Sequence, residues 1–393
     1  MEDSRNRTAA EGGAGETPAS REDARYEALR QRYDALWRDY RALADSRLGR
    51  LTLRWWEKKD RLRAGLRGLG TKGPVQSLEE GDLPTVTVIL PTYRPQPYLR
   101  EAVSSALAQD YPPEKLRLIL AVNGPDEAYL RQLREEYGQE GRIRMVHTAK
   151  QSVGAARNLA LRETDTDCVC YLDDDDRLTP GFVRLLASRM APGVTVACGP
   201  LADLRPGSGE ADAETYVNRA LRSIGEGAYR RSLLLSPLLS TLPGKLYRTE
   251  LLRGFAPMDE TLPNSEDVVY WAENYRALRG RICLCPPEKG ESYLRRLTPG
   301  SLSRPRSRDR AKFYVSDRLE VLERLHALLD KAASREERSF LRGKIRDQEG
   351  FLKSGLGSLE SGEREEALAM LAGSPLGAAL LRDAGFPEEK ETP

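Results

Sequence analysis

The sequence is poor in histidine and cysteine and has no long apolar run. Two of its 393 residues are histidine and five are cysteine. An odd cysteine count in a chain of this length favours a reducing compartment over a disulfide framework. The longest apolar candidate, Leu233–Gly244, is interrupted by prolines and falls short of the roughly 20 residues that span a bilayer. The polar, acidic N-terminus differs from a secretory signal, so we expect a cytoplasmic protein.

The chain also has little excess charge and none of the common phosphate-binding loops. Its 62 Lys and Arg nearly balance its 60 Asp and Glu, giving a net charge of +2. This balance argues against nucleic acid as a partner. There is no G-x-G-x-x-G after the first predicted strand and no G-x-x-x-x-G-K-[ST] in the chain. Dehydrogenases of the dinucleotide-binding type and P-loop enzymes are therefore disfavoured.

The first 83 residues read as a tail, a long helix and a linker. Residues 1–20 are polar and low in complexity, and residues 70–83 have linker composition. Between them, residues 21–69 predict a helix whose apolar seam is either packed on the domain that follows it or paired in a homodimer. The seam alternates two residue types at spacings of three and four: Tyr26, Leu29, Tyr33, Leu36, Tyr40 and Leu43.

The second half of that predicted helix is basic and contains two adjacent tryptophans. Trp55 and Trp56 stand among arginines and lysines. Such a segment fits peripheral contact with an anionic membrane surface. A solvated basic helix with one buried tryptophan is the simpler alternative, since amphipathic helices mostly pack on protein.

From Val86 onward, short apolar runs alternate with segments of helical spacing. This alternation predicts an α/β domain with βαβ units and a largely parallel sheet covered on both faces. Residues 306–393 have helical patterns and predict a C-terminal helical region. The four predicted strands contain the runs VTVIL, LRLILAV, RIRMVH and CVCYL.

Four consecutive aspartates, Asp173–Asp176, follow the fourth predicted strand. Ligands in open parallel sheets bind beyond the carboxyl ends of strands. A carboxylate cluster without a glycine-rich cradle suits Mg²⁺ or Mn²⁺, which in turn holds phosphates. The alternative is a solvated acidic loop that caps the next helix, which explains one or two of these aspartates better than four.

Five segments, in order, resemble family 2 glycosyltransferases. Together they cover about residues 84–305. The segments are VTVILPTYRPQPYLREAVSSALAQDYP, SVGAARNLAL, YLDDDDRLTPG, PGKLYRTELL with GFAPMDETLPNSEDVVYW, and SYLRRLTPGSLSR.

The resemblance implies a GT-A (Rossmann-like) mixed sheet flanked by helices. It also implies an inverting, metal-dependent transfer of a sugar from a nucleoside diphosphate to a hydroxyl of a glycan, lipid-linked or other acceptor. In this reading Asp173 binds the donor ribose, and Asp174 occupies the variable position beside it. Asp175 holds Mn²⁺ or Mg²⁺, with Asp176 in support.

The resemblance assigns Asp267 as the base that takes the acceptor proton, with Glu266 raising its pKa or orienting the acceptor. The alternative is an acid pair at a helix start capped by Asn264 or Ser265. Further donor-side assignments follow from the same resemblance. Pro91, Thr92 and Tyr93 frame the base, Arg157 contacts the diphosphate or the aspartate loop, and Arg295, Ser301 and Ser303 form a flap.

Two positions depart from the family pattern. Asn123 stands where a carboxylate often contacts the nucleobase, so the identity of the base stays open. Some relatives place a histidine ligand near the flap, whereas this chain has only His147 and His326, both elsewhere. The metal would then be held by aspartates, phosphates and water. A sugar nucleotidyltransferase-like enzyme and a non-catalytic nucleotide-sugar-binding scaffold are the alternative functions.

Overall fold

The computed structural model describes residue 73 and residues 75–205, 209–287, 290–297 and 309–383. The predicted tail at 1–20 and the predicted helix at 21–69 lie outside the described residues. Ser301 and Ser303 of the predicted flap also lie outside them. Part of the predicted linker runs along the domain, where the Leu78 amide donates to the Ser188 carbonyl at 2.7 Å and Leu83 is buried.

The first half of the domain is built on four parallel strands. Every residue of the first strand is buried, as expected for an apolar run with helices on both faces of the sheet. The strands lie side by side in the order β3-β2-β1-β4. They are β1 (Val86–Thr92), β2 (Leu116–Asn123), β3 (Ile143–Thr148) and β4 (Cys168–Tyr171).

Three helices return the chain between these strands. They are α1 (Leu99–Leu107), α2 (Glu127–Tyr137) and α3 (Val153–Arg162). Side chains cap two of them: Asp126 accepts the Tyr129 amide at 2.9 Å, and Ser152 accepts the Ala155 amide at 3.3 Å. The chain passes from β3 back over β2 and β1 to β4. The strand order therefore reverses between β1 and β4, where an open sheet forms a ligand crevice.

The second half of the domain extends the sheet with mixed strand directions and adds a small second sheet. The strands are β5 (Arg177–Leu178), β6 (Val194–Cys198), β7 (Leu201–Leu204), β8 (Ala211–Asp212), β9 (Gly227–Arg230), β10 (Lys245–Arg248), β11 (Arg281–Leu284) and β12 (Tyr293–Arg296). The described residues form a large sheet in the order β3-β2-β1-β4-β10-β6-β11-β9, in which β10 is antiparallel to both neighbours. They also form a small sheet in the order β5-β12-β7-β8. The helices are α4 (Phe182–Ala187), α5 (Tyr216–Ile224), α6 (Thr249–Arg253) and α7 (Glu266–Asn274).

The chain ends in a helical region with its own apolar cluster. Val315, Leu322 and Leu325 are buried in this cluster. Val269 and Ala272 of α7 belong to the same cluster, so the region packs directly on the helix that begins with Glu266. After a π-helical turn at Lys312–Ser316, the helices are α8 (Asp317–Asp330), α9 (Arg335–Ser358), α10 (Ser361–Ala372) and α11 (Pro375–Asp383).

These elements confirm the predicted fold class, a mixed sheet flanked by helices followed by a C-terminal helical region. None of the helices in the described part of the chain is both long and apolar enough to cross a membrane.

Candidate active site

The reversal in strand order brings together Thr92 at the end of β1 and the aspartates after β4. The Thr92 hydroxyl donates to Asp174 Oδ2 at 2.7 Å and lies 2.8 Å from the Tyr129 hydroxyl. Burial raises the pKa of Asp174 to about 7. Asp174 is thus held by a chain of hydroxyls from β1 and α2. The sequence did not predict this role for Tyr129, because its spacing on α2 is that of an ordinary residue on the apolar face of a helix.

Asp176 is buried and holds the aspartate loop to β12. Its Oδ2 accepts the Tyr293 hydroxyl and its Oδ1 accepts the Arg296 amide, each at 2.6 Å. Arg296 also donates from Nε to the Asp175 carbonyl at 3.0 Å. Asp176 is 3% exposed, and burial raises its pKa well above the usual value. Both oxygens of Asp176 are therefore occupied by contacts that fix the loop.

Arg157 connects the aspartate loop to the start of α7. Its Nη2 donates to Asp173 Oδ1 at 2.7 Å and its Nη1 donates to Glu266 Oε1 at 2.5 Å. Burial lowers the pKa of this guanidinium, but Asp173 and Glu266 outweigh burial and raise it. A guanidinium suits this position because its fork of donors reaches two carboxylates at once. Residues more than a hundred positions apart thereby share one site.

Gly154 and Asn158 set α3 against the segment that precedes α7. A Cβ on Gly154 would lie 2.6 Å from the Asp259 carbonyl oxygen, so glycine permits the close approach. Asn158 donates from Nδ2 to the Met258 carbonyl and accepts the Met258 amide, both at 2.9 Å. These contacts fix α3 relative to the segment before α7, and so they fix where Arg157 contacts Glu266.

Asp267 lies in the first turn of α7, directly after Glu266. Its Oδ1 accepts the Val268 amide at 2.8 Å. Burial, together with the negative charge of Glu266, raises the pKa of Asp267 to about 7, and Arg157 acts in the opposite direction. Ser265 occupies the cap position but donates its hydroxyl to Asn264 Oδ1 at 3.1 Å, and neither side chain caps the helix. The arrangement leaves Asp267 as a carboxylate able to exchange a proton near neutral pH.

The remaining predicted residues divide between the crevice edge and internal contacts. Tyr93 is 39% exposed and its ring packs on Gly124, whose φ of +105° glycine adopts without strain. Asn123 is buried. With its amide turned to satisfy both neighbours, it donates to the Thr92 carbonyl at 3.0 Å and accepts the Ser152 amide at 3.2 Å.

Pro91 is buried within β1, and Arg295 lies on β12. Pro91 is in register with Ala121 of β2. Arg295 forms a bidentate pair with Asp203, at 2.7 Å and 3.0 Å. In the described residues, Arg295 is therefore engaged with β7. Its predicted flap partners Ser301 and Ser303 lie outside them.

A family model now adds independent evidence. The model described as glycosyl transferase family 2 matches residues 87–233. That stretch includes β1, the Arg157 helix and the four aspartates. The match confirms, over residues 87–233, the resemblance to family 2 glycosyltransferases that the motifs predict.

Curated relatives carry names of the same kind. Chondroitin synthase of Escherichia coli is 28% identical over 127 residues, which is 32% of this chain and 18% of that protein. The poly(ribitol-phosphate) beta-N-acetylglucosaminyltransferase TarS of Staphylococcus aureus is 25% identical over 195 residues, 48% of this chain and 32% of TarS. The matched part of the chain thus spans less than two-fifths of either relative.

Solved structures show the same fold. The crystal structure of S. aureus TarS 1–349 in complex with UDP-GlcNAc has a TM-score of 0.53 at 21% identity, covering 75% of this chain and 83% of that one. The mannosyltransferase PcManGT from Pyrobaculum calidifontis, in complex with GDP-Man and Mn²⁺, has a TM-score of 0.50 at 19% identity and covers 88% and 89%. At these identities the likeness establishes the architecture alone.

Proposed function

We propose that the protein is an inverting, divalent-metal-dependent glycosyltransferase that moves a sugar from a nucleoside diphosphate to an acceptor hydroxyl. The observation that carries this proposal is the contact of Arg157 with both Asp173 and Glu266. One guanidinium joins the loop expected to hold the donor with the helix expected to hold the base. The family match over residues 87–233 and the fold shared with nucleotide-sugar-bound structures support the same function.

The carboxylates fit a metal ion that takes most of its ligands from the donor. No group of three metal-ligating side chains converges among the residues that the structure describes. Thr92 binds Asp174, and β12 binds both oxygens of Asp176. Mg²⁺ and similar ions are commonly held by one or two carboxylates, with phosphates and water completing the shell. In the proposal Asp175 holds Mn²⁺ or Mg²⁺, which would offset charge on the departing diphosphate.

On the acceptor side, Asp267 is the proposed base. It takes the proton of the acceptor hydroxyl as that oxygen forms its bond to the anomeric carbon. The bond from that carbon to the diphosphate oxygen breaks, and its electron pair leaves with the nucleoside diphosphate. Attack from the face opposite the leaving group inverts the anomeric configuration. A pKa near neutrality suits this task.

On the donor side, the proposed contacts follow the crevice from base to diphosphate. Tyr93 and Thr92 stand where the nucleobase would enter, and Asp173 is the proposed ribose ligand. Arg157, whose charge is shared by Asp173 and Glu266, orients the two halves relative to each other. Asn123 and Arg295 have internal partners, so any donor contact from them requires those hydrogen bonds to be shared or exchanged.

The proposed acceptor is a hydroxyl of a glycan, a lipid-linked acceptor or another hydroxyl compound. Two matched relatives are named as a chondroitin synthase and a poly(ribitol-phosphate) glycosyltransferase, which supports this class. A cytoplasmic location, peripheral membrane contact and a homodimer through residues 21–69 remain part of the proposal, and the last two depend on a segment outside the described residues.

A transfer assay tests the function. The purified chain is incubated with UDP-, GDP-, dTDP- and CDP-sugars, Mn²⁺ and a panel of saccharide acceptors, and products are followed by mass spectrometry. We expect one donor class to support transfer, chelation to stop it, and NMR to show inverted anomeric configuration. Nucleotide-sugar binding without transfer or hydrolysis from any donor would favour the scaffold alternative.

A further inference from the structure

The turn that begins α7 has a backbone conformation that L-residues rarely adopt. Ser265 has φ 57° and ψ 25°, in the left-handed region, and the other described residues with positive φ are glycines. Serine visits this region much less readily than glycine, asparagine or aspartate. The turn lies immediately before Glu266 and Asp267. Contacts from elsewhere must therefore hold this backbone in place.

Those contacts come from the start of α8 in the C-terminal helical region. Arg318 donates from Nη1 to Ser265 Oγ at 2.7 Å and from Nη2 to Asn264 Oδ1 at 3.3 Å. Asn264 in turn donates from Nδ2 to Asp317 Oδ2 at 2.8 Å. Both side chains of the turn are thus bound by two consecutive residues of one helix.

Arg318 is itself fixed by its surroundings. It is 3% exposed, and its Nη1 donates to Gln348 Oε1 of α9 at 2.5 Å. Its Cζ lies 4.3 Å from the ring centroid of Phe351 and 5.6 Å from that of Phe313. Burying a guanidinium is costly unless its donors are used. Here Nη1 and Nη2 reach a serine hydroxyl and two amide oxygens, whereas Nε is buried without a hydrogen-bond partner.

We propose that Arg318 is a positioning residue for the transfer reaction: it holds the Asn264–Ser265 turn so that Asp267 faces the donor-side loop. This inference rests on the proposed function, because it assigns Asp267 a task. It gives the C-terminal helical region a role in catalysis through α7. A misplacement of about 1 Å in such a group can cost roughly a hundredfold in rate.

A merely structural role for Arg318 makes a different prediction. The C-terminal region has an apolar cluster of its own, which includes Leu322 and Leu325. If Arg318 only supported that packing, its loss would lower the melting temperature and the folded fraction. Turnover per folded molecule would then stay unchanged.

Arg310 provides a matched control in the same region. It donates to Glu363 Oε2 at 3.2 Å and to the Ser358 carbonyl at 2.6 Å, and its Cζ lies 6.0 Å from the Tyr314 ring. Like Arg318 it combines an aromatic neighbour with side-chain hydrogen bonds. These partners lie within the C-terminal region, away from the Asn264–Ser265 turn.

The experiment measures kcat, donor Kd and melting temperature for Arg318→Met, Arg318→Lys and Arg310→Met, at a temperature where each variant is fully folded and on the alkaline plateau of its pH profile, where a shift in the Asp267 pKa does not change kcat. We expect Arg318→Met to lower kcat about 10- to 100-fold with donor Kd within twofold of wild type. Arg318→Lys should be intermediate, since an ammonium keeps the charge but lacks the fork of donors. Arg310→Met should keep kcat within twofold even if its melting temperature falls.

If Arg318→Met keeps the wild-type kcat, or loses activity only as its folded fraction falls, the positioning role is refuted while the proposed function stands. If Arg318→Met does not fold, Ser265→Ala replaces it, because it removes the hydroxyl bound by the guanidinium and leaves Arg318 intact. An unchanged kcat in Ser265→Ala would overturn the inference. A wild-type chain that transfers no sugar from any donor defeats the proposed function, and the inference with it.

Discussion

At the scale of single residues, the charge state of Asp267 is set by opposing neighbours. Burial and Glu266 favour the protonated form, and Arg157 favours the carboxylate. The negative charge of Asp267 also raises the pKa of three buried cations, Lys245, Arg318 and Lys344, against the effect of their burial. The same charge raises the pKa of Tyr216 at the start of α5. Because several charged groups act on Asp267, a single charge change nearby should shift its pKa, which is about 7.

The first prediction concerns pH. The proposed base works only when deprotonated, so kcat/KM should fall tenfold per unit below about pH 7 and level off above it. Glu266→Gln removes a like charge, which lowers the pKa of Asp267. The acid limb should then move down by about half to one pH unit.

The control is Glu273→Gln, the same change on the same helix. Its acid limb should stay in place. A Glu266→Gln limb that moves to higher pH would contradict the electrostatic assignment.

The second prediction concerns Arg157. Arg157→Lys keeps the positive charge, but one ammonium cannot reproduce the two separate guanidinium contacts with Asp173 and Glu266. We expect kcat to fall about 10- to 100-fold, because the aspartate loop and the start of α7 are no longer held at a fixed distance. The free energy of unfolding should fall by about 3 kcal/mol, as one buried carboxylate loses its partner.

Steady-state kinetics and urea unfolding check this expectation. Arg162→Lys, on the exposed end of the same helix, should leave both quantities near wild type. Wild-type kcat in Arg157→Lys would mean that the contact is dispensable for the reaction.

At the scale of elements, α3 is the piece that relates the two halves. Its glycine sits against the backbone before α7, and Asn158 binds the same segment. The four strands around it were predictable, because each has an apolar run of strand length. The loops at their carboxyl ends were equally accessible from the sequence, since parallel strands end at one edge of a sheet.

The third prediction tests this packing. Gly154→Ala places a Cβ about 2.6 Å from the Asp259 carbonyl oxygen, so α3 or the segment before α7 must shift. We expect a loss of about 1–3 kcal/mol in the free energy of unfolding and a drop in kcat.

Gly350→Ala on α9 is the matched control. Nothing lies within 4 Å of its added Cβ, and alanine favours the helix, so stability should hold or rise by up to about 1 kcal/mol. Equal effects from the two changes would argue against the close approach at Gly154.

Several contacts of the site could not be predicted from the sequence, for a physical reason. Tyr293 and Arg296 bind Asp176 across about 120 positions, and Arg318 binds Ser265 across 53. Such pairings depend on how the second sheet and the C-terminal helices pack, which local periodicity does not encode. The aspartate run illustrates the limit. Motif position distinguishes Asp173 and Asp175, whereas the turn of Asp176 toward β12 follows from tertiary structure.

At the scale of the whole molecule, the domain consists of a parallel half that ends in the aspartate loop and a mixed half that contains α7. The family match covers residues 87–233 and stops before Glu266 and Asp267. The family match therefore supports the proposed donor side more directly than the proposed acceptor side. The structural neighbours share the architecture at about one-fifth identity, which leaves substrate choice to side chains.

The fourth prediction belongs to this scale. A nucleoside diphosphate of the correct base, at about a hundred times its Kd, should raise the melting temperature by about 2 to 5 °C. The shift should be larger with Mn²⁺ than with chelator, since the proposed metal takes phosphates among its ligands. The nucleoside without phosphates is the control and should give a smaller shift that is insensitive to Mn²⁺. An identical shift with and without Mn²⁺ would contradict the proposed metal dependence.

The most direct test of the central claim compares wild type with Asp267→Asn in two assays, sugar transfer and donor binding. The amide keeps the shape of the side chain but cannot accept the acceptor proton at this step. We expect transfer to fall at least about 100-fold while donor Kd changes by less than about twofold. Transfer at the wild-type rate in Asp267→Asn would contradict the assignment of Asp267 as the base in this site.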